Sequence, residues 1–345
     1  MADAALPALL VTTPVNVRWL TGFTGSNGSV LLAPDTIQFV TDARYGDRVL
    51  AMDDELDLLV SSVPVADVTA WCADHGVRSL GLEADDVSWS AAERWQSVAS
   101  RASLGVTATT GVIEGLRAVK DDAEIVRLRT ACRITTAVLA DVIGRLAAGM
   151  TERGIAEMLE GGFVDAGADA AAFDSIIASG PNGAIPHHEA GGRAIRTGDL
   201  VTIDCGARVD GYHADCTRTV AIGEPGEQWR RIHAVVARAQ QAGRAAVAPG
   251  TTGRQLDQVA RSLITSEGHG DHFVHGTGHG VGLEIHEAPA IGERAASTLE
   301  AGMTITVEPG IYLSGSGGVR IEDTLLVTDD GSEILTDLPH DLQVL

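Results

Sequence analysis

Two stretches of this chain carry carboxylates in matching places. Gly198-Asp-Leu-Val-Thr-Ile-Asp-Cys-Gly206 aligns with Gly302-Met-Thr-Ile-Thr-Val-Glu-Pro-Gly310 at an offset of 104. Gly198, Thr202 and Gly206 return as Gly302, Thr306 and Gly310, while Asp204 returns as Glu308. Asp215-Cys-Thr217 is echoed by Glu322-Asp-Thr324 at an offset of 107. Two halves of one design thus each deliver two carboxylates from equivalent strand positions. The hairpin parity supports this. A two-residue loop at Asp210-Gly211 makes residue 206 face Asp215, with Asp204 two positions along on the same face. The two carboxylates are then diagonal neighbours, within about 7–8 Å at the backbone. Glu308 and Glu322 are symmetric about Gly315 in the loop Ser-Gly-Ser-Gly-Gly, so they sit almost opposite each other.

Four such groups facing one another between apolar neighbours (Ile203, Val307, Ile321) require cations. A nitrogen ligand is available between the hairpins, in His275-Gly-Thr-Gly-His279-Gly-Val-Gly-Leu-Glu-Ile-His286-Glu. That stretch is too rich in glycine for a helix, and it is not HExxH, so a zincin site is not supported. One histidine with four carboxylates is a hard, oxygen-rich donor set. It suits two divalent metals about 3.5–4 Å apart, with Mn or Co favoured over a thiolate-type Zn site, although Zn is possible. Two +2 ions balance the four negative ligands and leave a bound hydroxide as nucleophile.

The surrounding pattern shows what positions these residues. Asp121, with Glu124 three residues on, caps a helix running toward Gly149. Helical patterns also span Thr151–Ala166 and Thr252–Gly268, each after a matching turn (148–151 and 249–252, offset 101). Each half therefore reads as helix, helix, hairpin. The first third differs. Strands are expected at Ser29–Ala33, Ile37–Thr41 and Val77–Leu82, with helices at Asp67–His75 and Ser90–Ser100. These patterns predict a small α/β domain over 1–115 and a catalytic domain over 116–345. Gly22-Phe-Thr-Gly25-Ser-Asn-Gly28 precedes a strand and not a helix, so it reads as a turn and not a phosphate loop.

Composition narrows the function. Of 345 residues, 25 are Lys or Arg and 47 Asp or Glu, a net charge of −22. That field repels phosphate backbones and anionic lipid, so neither nucleic acid nor a membrane surface is expected as a partner. The N-terminal stretch lacks the pattern of a signal peptide, and no run of about 18 apolar residues exists to span a membrane. Cys72, Cys132, Cys205 and Cys216 show no CxxC spacing, and a cytoplasmic location is expected. Cys205 and Cys216 should be neighbours on the strand face away from the carboxylates, as small core residues. His269 and His272 read as surface loop residues. His275 is open between a backbone hydrogen bond and a substrate role.

Four motifs carry a resemblance: Ile-Asp-Cys-Gly with Tyr-His-Ala-Asp-Cys-Thr-Arg-Thr, Gly-Thr-Gly-His-Gly-Val-Gly-Leu, Val-Glu-Pro-Gly-Ile-Tyr, and Val-Arg-Ile-Glu-Asp-Thr. From about Asp121 to Thr328 the chain resembles the pita-bread metallopeptidases, which include proline dipeptidase, aminopeptidase P and methionine aminopeptidase. Asn16-Val-Arg-Trp-Leu-Thr-Gly-Phe-Thr-Gly-Ser-Asn-Gly28 resembles the creatinase/prolidase-type N-terminal domain of the proline-specific members. The resemblance implies an α+β fold, with that domain followed by a pseudo-two-fold catalytic domain, and a homodimer. It implies Asp204, Asp215, His279, Glu308 and Glu322 as metal ligands, with Asp215 and Glu322 bridging. It further implies Glu308 as general base or proton shuttle, His286 as stabiliser of the oxyanion, and His187 as a substrate-binding histidine, with His188 one position away. Arg320 would orient the ligands and border the substrate. The activity implied is a binuclear exopeptidase cutting Xaa-Pro bonds of dipeptides or short peptides. The alternatives are an aminopeptidase of broader specificity and an inactive peptide-binding member of the fold. Inactive members are expected to lose ligands, and none is missing here.

Overall fold

Helix starts in the catalytic half follow from capping chemistry. Asp121 accepts from the Glu124 N–H while the Glu124 carboxylate reaches back to the Asp121 N–H, opening the helix Asp122–Arg145. Thr252 and Gln255 form the same reciprocal cap for Gly253–Ser266, and Thr151 caps Glu152–Asp165. Each arrangement satisfies N–H groups that a helix start otherwise leaves without partners. The computed structural model describes residues 6–52 and 56–345. The chain divides into two units, Met1–Leu116 and Arg117–Leu345.

The first unit is a six-stranded mixed sheet with helices. The strand order is Asp57–Val60, Thr36–Thr41, Gly28–Ala33, Leu9–Val11, Ser79–Glu83, Gly105–Thr109. The helices Pro64–Asp74 and Trp89–Arg101 pack on it through Val68, Cys72, Trp95 and Ala99. After the helix Pro14–Thr21, Gly22 turns the chain in the left-handed region, and Gly25 and Gly28 lie against the Phe23 ring. The loop is thus a turn feeding a strand.

The second unit repeats itself down to individual hydrogen bonds. The Gly149 N–H donates to Ile195 O as the Gly250 N–H does to Leu299 O, both at 2.9 Å. The Glu152 N–H donates to Arg193 O as the Gly253 N–H does to Ser297 O, both at 3.0 Å. Gly198 and Gly302 both turn with φ near +90°, a conformation that favours glycine. The helix pair Asp122–Arg145 and Glu152–Asp165 in one half matches Glu227–Ala245 and Gly253–Ser266 in the other.

The first hairpin pairs Leu200–Cys205 with Cys216–Ala221, Cys205 opposite Cys216 and Thr217 opposite Asp204. Its turn uses positive φ at both Asp210 (47°) and Gly211 (79°), as a two-residue loop of this twist requires. The second arm is not one continuous strand but two, Tyr212–His213 and Cys216–Ala221. The ladder breaks at Ala214 and Asp215, where the backbone comes so close to Gly206 that a Cβ there would lie 1.7 Å from the Ala214 carbonyl oxygen. The second hairpin pairs Gly310–Leu313 with Gly317–Arg320, and the same register sets Val307 opposite Asp323. The carboxylate strands fall in two sheets, of three and five strands. These meet where the Glu322 N–H donates to Thr217 O at 3.1 Å and Thr324 Oγ1 donates to Asp215 O at 2.8 Å.

Candidate metal centre

Asp204 comes from the first hairpin's opening strand, and Asp215 from the break in its second arm. Glu308 and Glu322 lie at equivalent places in the other half, and His279 comes from the short strand Gly278–Gly280. All five line one cavity of about 780 Å³, together with His187, His188, His275, His286 and Arg320. Asp215, His279 and Glu322 present ligand atoms within 4.8 Å of one another. His279 Nε2 lies 3.6 Å from Asp215 Oδ2 and 3.4 Å from Glu308 Oε1.

The bare side chains are electrostatically frustrated. Burial, reinforced by the neighbouring carboxylates, pushes the acids of Asp215 and Glu322 well above the usual range, and burial takes Glu308 up to about 8. Burial lowers His279 to about 4, keeping its imidazole neutral. His279 Nδ1 lies 3.0 Å from Gly280 O, so it carries the proton and Nε2 turns its lone pair toward the acids. A lone pair facing carboxylates invites a cation between them. Asp204 Oδ1 and Asp215 Oδ1 are buried without a hydrogen-bond partner. These orphaned oxygens, the neutral imidazole and the crowded acids fit a divalent-metal site.

The carboxylates are held from behind. Arg320 Nη2 donates to Asp204 Oδ2 at 2.7 Å, Nη1 to Tyr312 Oη at 2.9 Å and Pro186 O at 3.2 Å, and Nε to Thr217 Oγ1 at 3.2 Å. With its guanidinium so engaged, Arg320 is 3% exposed and tied to Asp204 at the cavity wall. Thr217 Oγ1 in turn donates to Glu322 Oε2 at 2.6 Å. His275 makes the backbone hydrogen bond that is one of the two readings open to it in sequence. Its Nδ1 lies 2.7 Å from Gly276 O, and Nε2 accepts from Tyr312 Oη at 2.8 Å, extending a chain to Arg320 and Asp204. Of the two adjacent histidines, His188 is tied to Glu152 Oε2 at 2.9 Å, while His187 stands exposed at the cavity. His286 lies edge-to-face on His279, ring centroids 4.3 Å apart. Cys205 and Cys216 are buried in the core with Val201 and Ile203, as small apolar residues. His269 and His272 lie outside the cavity at a short 3₁₀ turn. Tyr312 and Thr217 have no role assigned from sequence, although both stand inside the quoted motifs.

The sequence pattern of metallopeptidase family M24 matches residues 126–329, and that of the creatinase/prolidase N-terminal domain matches residues 1–119. The chain belongs to metallopeptidase family M24. An Xaa-Pro dipeptidase of Pyrococcus furiosus is 35% identical over 348 residues, covering 99% of this chain and 97% of that one. The solved Xaa-Pro dipeptidase from Bacillus anthracis superimposes with a TM-score of 0.96 at 37% identity, covering 100% of this chain and 96% of that one. The X-Pro aminopeptidase from Thermotoga maritima gives 0.90 at 34% identity, covering 100% and 97%. This M24 chain is accordingly a metallo-exopeptidase of α+β fold, with a creatinase-type N-terminal domain before its catalytic domain. Among the described residues, no helix is long and apolar enough to cross a membrane.

Proposed function

We propose that this M24 enzyme is a binuclear metallo-exopeptidase that hydrolyses the bond before proline in short Xaa-Pro peptides. The observation that carries the reading is the crowded cluster of Asp204, Asp215, Glu308 and Glu322 around the neutral His279, with two buried carboxylate oxygens left unpartnered. Asp204, Asp215 and Glu322 would hold one divalent ion, and Asp215, His279, Glu308 and Glu322 the other. Mn or Co suits so oxygen-rich a set. Such ions supply Lewis acidity toward the scissile carbonyl and make water a nucleophile near neutral pH.

The chain's own residues do the rest. Glu308, at the cavity wall beside His279, takes the proton of the attacking water and carries it to the leaving nitrogen. His286 and His187 border the same space and donate to the peptide carbonyls as negative charge develops. Arg320 keeps Asp204 aimed and borders the substrate space.

The bond before proline is a tertiary amide without an N–H, and φ after it is fixed near −65°. A peptidase gripping its substrate as a β-strand loses a hydrogen bond there, whereas attack at a cation-polarised carbonyl needs no such donor. The similarity to both Xaa-Pro dipeptidases and an X-Pro aminopeptidase supports this substrate class and leaves chain length to the assay. Ala-Pro, Ala-Pro-Ala and Ala-Ala, each beside its N-acetylated form, make the test. Free Xaa-Pro substrates should be cut and blocked ones should not. Ala-Ala should be poorer by well over tenfold, about 1.4 kcal/mol or more in transition-state stabilisation. Equal specificity constants for Ala-Pro and Ala-Ala would remove the proline reading and leave the metallopeptidase intact.

A further inference from the structure

His286 is exposed on the bend 282–286, and among the described residues its side chain makes no hydrogen bond. Its ring contact is with His279 alone. A side chain held so lightly is only as well placed as the backbone beneath it, and a misplacement of about 1 Å can cost about a hundredfold in rate. That backbone lies between the strands Gly278–Gly280 and Glu287–Ile291 and has no regular structure of its own.

Two clamps hold it. On one side, Gly282 O accepts from the His213 N–H at 2.8 Å and lies 3.0 Å from His213 Nδ1. On the other, the residue after His286 turns inward: the Glu287 side chain is 5% exposed, with Oε1 accepting from Lys120 Nζ at 2.7 Å and Oε2 from Arg117 Nη2 at 2.6 Å. Arg117 Nη1 reaches Glu284 Oε2 at 2.9 Å, so the cations bracket the turn. The carboxylate is packed on the turn itself. A Cβ on Gly282 would lie 2.3 Å from Glu287 Oε1, so a side chain there would have to displace the carboxylate. Lys120 is in turn fixed to the catalytic strands. Its N–H donates to Gly302 O at 3.0 Å, and Val119 bridges Met303, just before the strand Thr304–Val307 that leads to Glu308. Lys120 is the single lysine of the chain, and nothing in the reaction as derived uses it.

We propose that Glu287, held by Lys120 and Arg117, is the positioning residue that sets His286 against the carboxylate cluster. The ion cluster acts on the reaction through that histidine and through no contact with substrate. The kinetic part rests on the role of His286 in Xaa-Pro hydrolysis, and the backbone part does not.

A double-mutant cycle in the Mn-loaded enzyme separates positioning from general damage. Glu287→Gln keeps the shape and loses the charge. It should lower kcat for Ala-Pro about tenfold with KM within about twofold, yet cost less than about twofold further once His286→Ala is present. Lys120→Met should behave like Glu287→Gln, and Lys120→Arg should recover activity to within about threefold of the parent. In hydrogen–deuterium exchange, the amides of 282–287 should open at least about tenfold faster in Glu287→Gln and Lys120→Met, with the rest of the chain unchanged. If Glu287→Gln does not fold, the doubly neutral Lys120→Met/Glu287→Gln protein takes its place in the cycle. Equal losses with and without His286, or unchanged exchange at 282–287, would overturn the proposal. If the parent enzyme cuts no Xaa-Pro peptide, the proposed function fails while exchange still decides the clamp.

Discussion

Thr217 offers a quantitative handle on how the clustered carboxylates are aimed. Its hydroxyl is fully buried, donates to Glu322 Oε2 at 2.6 Å and accepts from Arg320 Nε at 3.2 Å. Thr217→Val preserves the branched shape and deletes both bonds. A hydrogen bond to a charged group is worth about 1.5–3 kcal/mol, and about 1.4 kcal/mol corresponds to tenfold in affinity. Metal affinity should therefore fall about ten- to a hundredfold, the range usual for loss of a partner that orients a ligand. The Thr217 bond also favours the ionised form of Glu322 against the burial that raises its proton affinity. Without it a proton competes better with the metal, so the deficit should widen as pH falls. Calorimetric titration of chelated protein with Mn at pH 8 and pH 6.5 measures both effects, and Thr217→Ser should recover most of the loss. An unaltered Mn affinity in a folded Thr217→Val protein would refute the idea that this hydroxyl aims Glu322.

Two further expectations concern chemistry and stability. Glu308→Gln keeps the side-chain shape but removes the charge and the proton carrier, so kcat should fall by about two to four orders of magnitude with the thermal midpoint of the metal-free protein little changed; an unchanged kcat would take Glu308 out of the mechanism. Burial lowers His233, 4% exposed in the helix Glu227–Ala245, from 6.5 to about 4. The unfolded chain therefore takes up a proton near pH 6.5 that the folded chain refuses, so stability is full above that pH and is lost as pH falls toward 4. Between pH 7 and pH 5 this histidine should remove about 2 kcal/mol, read as a steeper loss of urea stability in the parent than in His233→Gln. Parallel losses in the two proteins would contradict the assignment.

Much of the centre was legible because repeat and parity are both visible in sequence. The offsets of 104 and 107 paired Asp204 with Glu308 and Asp215 with Glu322, and the Asp210-Gly211 turn set a register that the ladder reproduces. The break at Ala214–Asp215 was not legible, since it arises from the close approach of two backbones at Gly206. The chain from His275 through Tyr312 and Arg320 to Asp204 was hidden too, because its members come from four separate segments. That His188 is tied to Glu152 was hidden as well, since the two lie 36 residues apart. In the first domain, the strand Leu9–Val11 has no sequence signature although it is central. Three residues buried on both faces show neither alternation nor length.

Every role proposed for the residues around the cavity requires the carboxylate cluster to work as a pair of divalent-metal sites. Chelated enzyme titrated with Mn or Co, while Ala-Pro hydrolysis and bound metal are followed together, tests it directly. The account predicts negligible hydrolysis after chelation and recovery that is complete only near about two equivalents of bound metal, the number that balances four carboxylates. Full activity in exhaustively demetallated protein would contradict it.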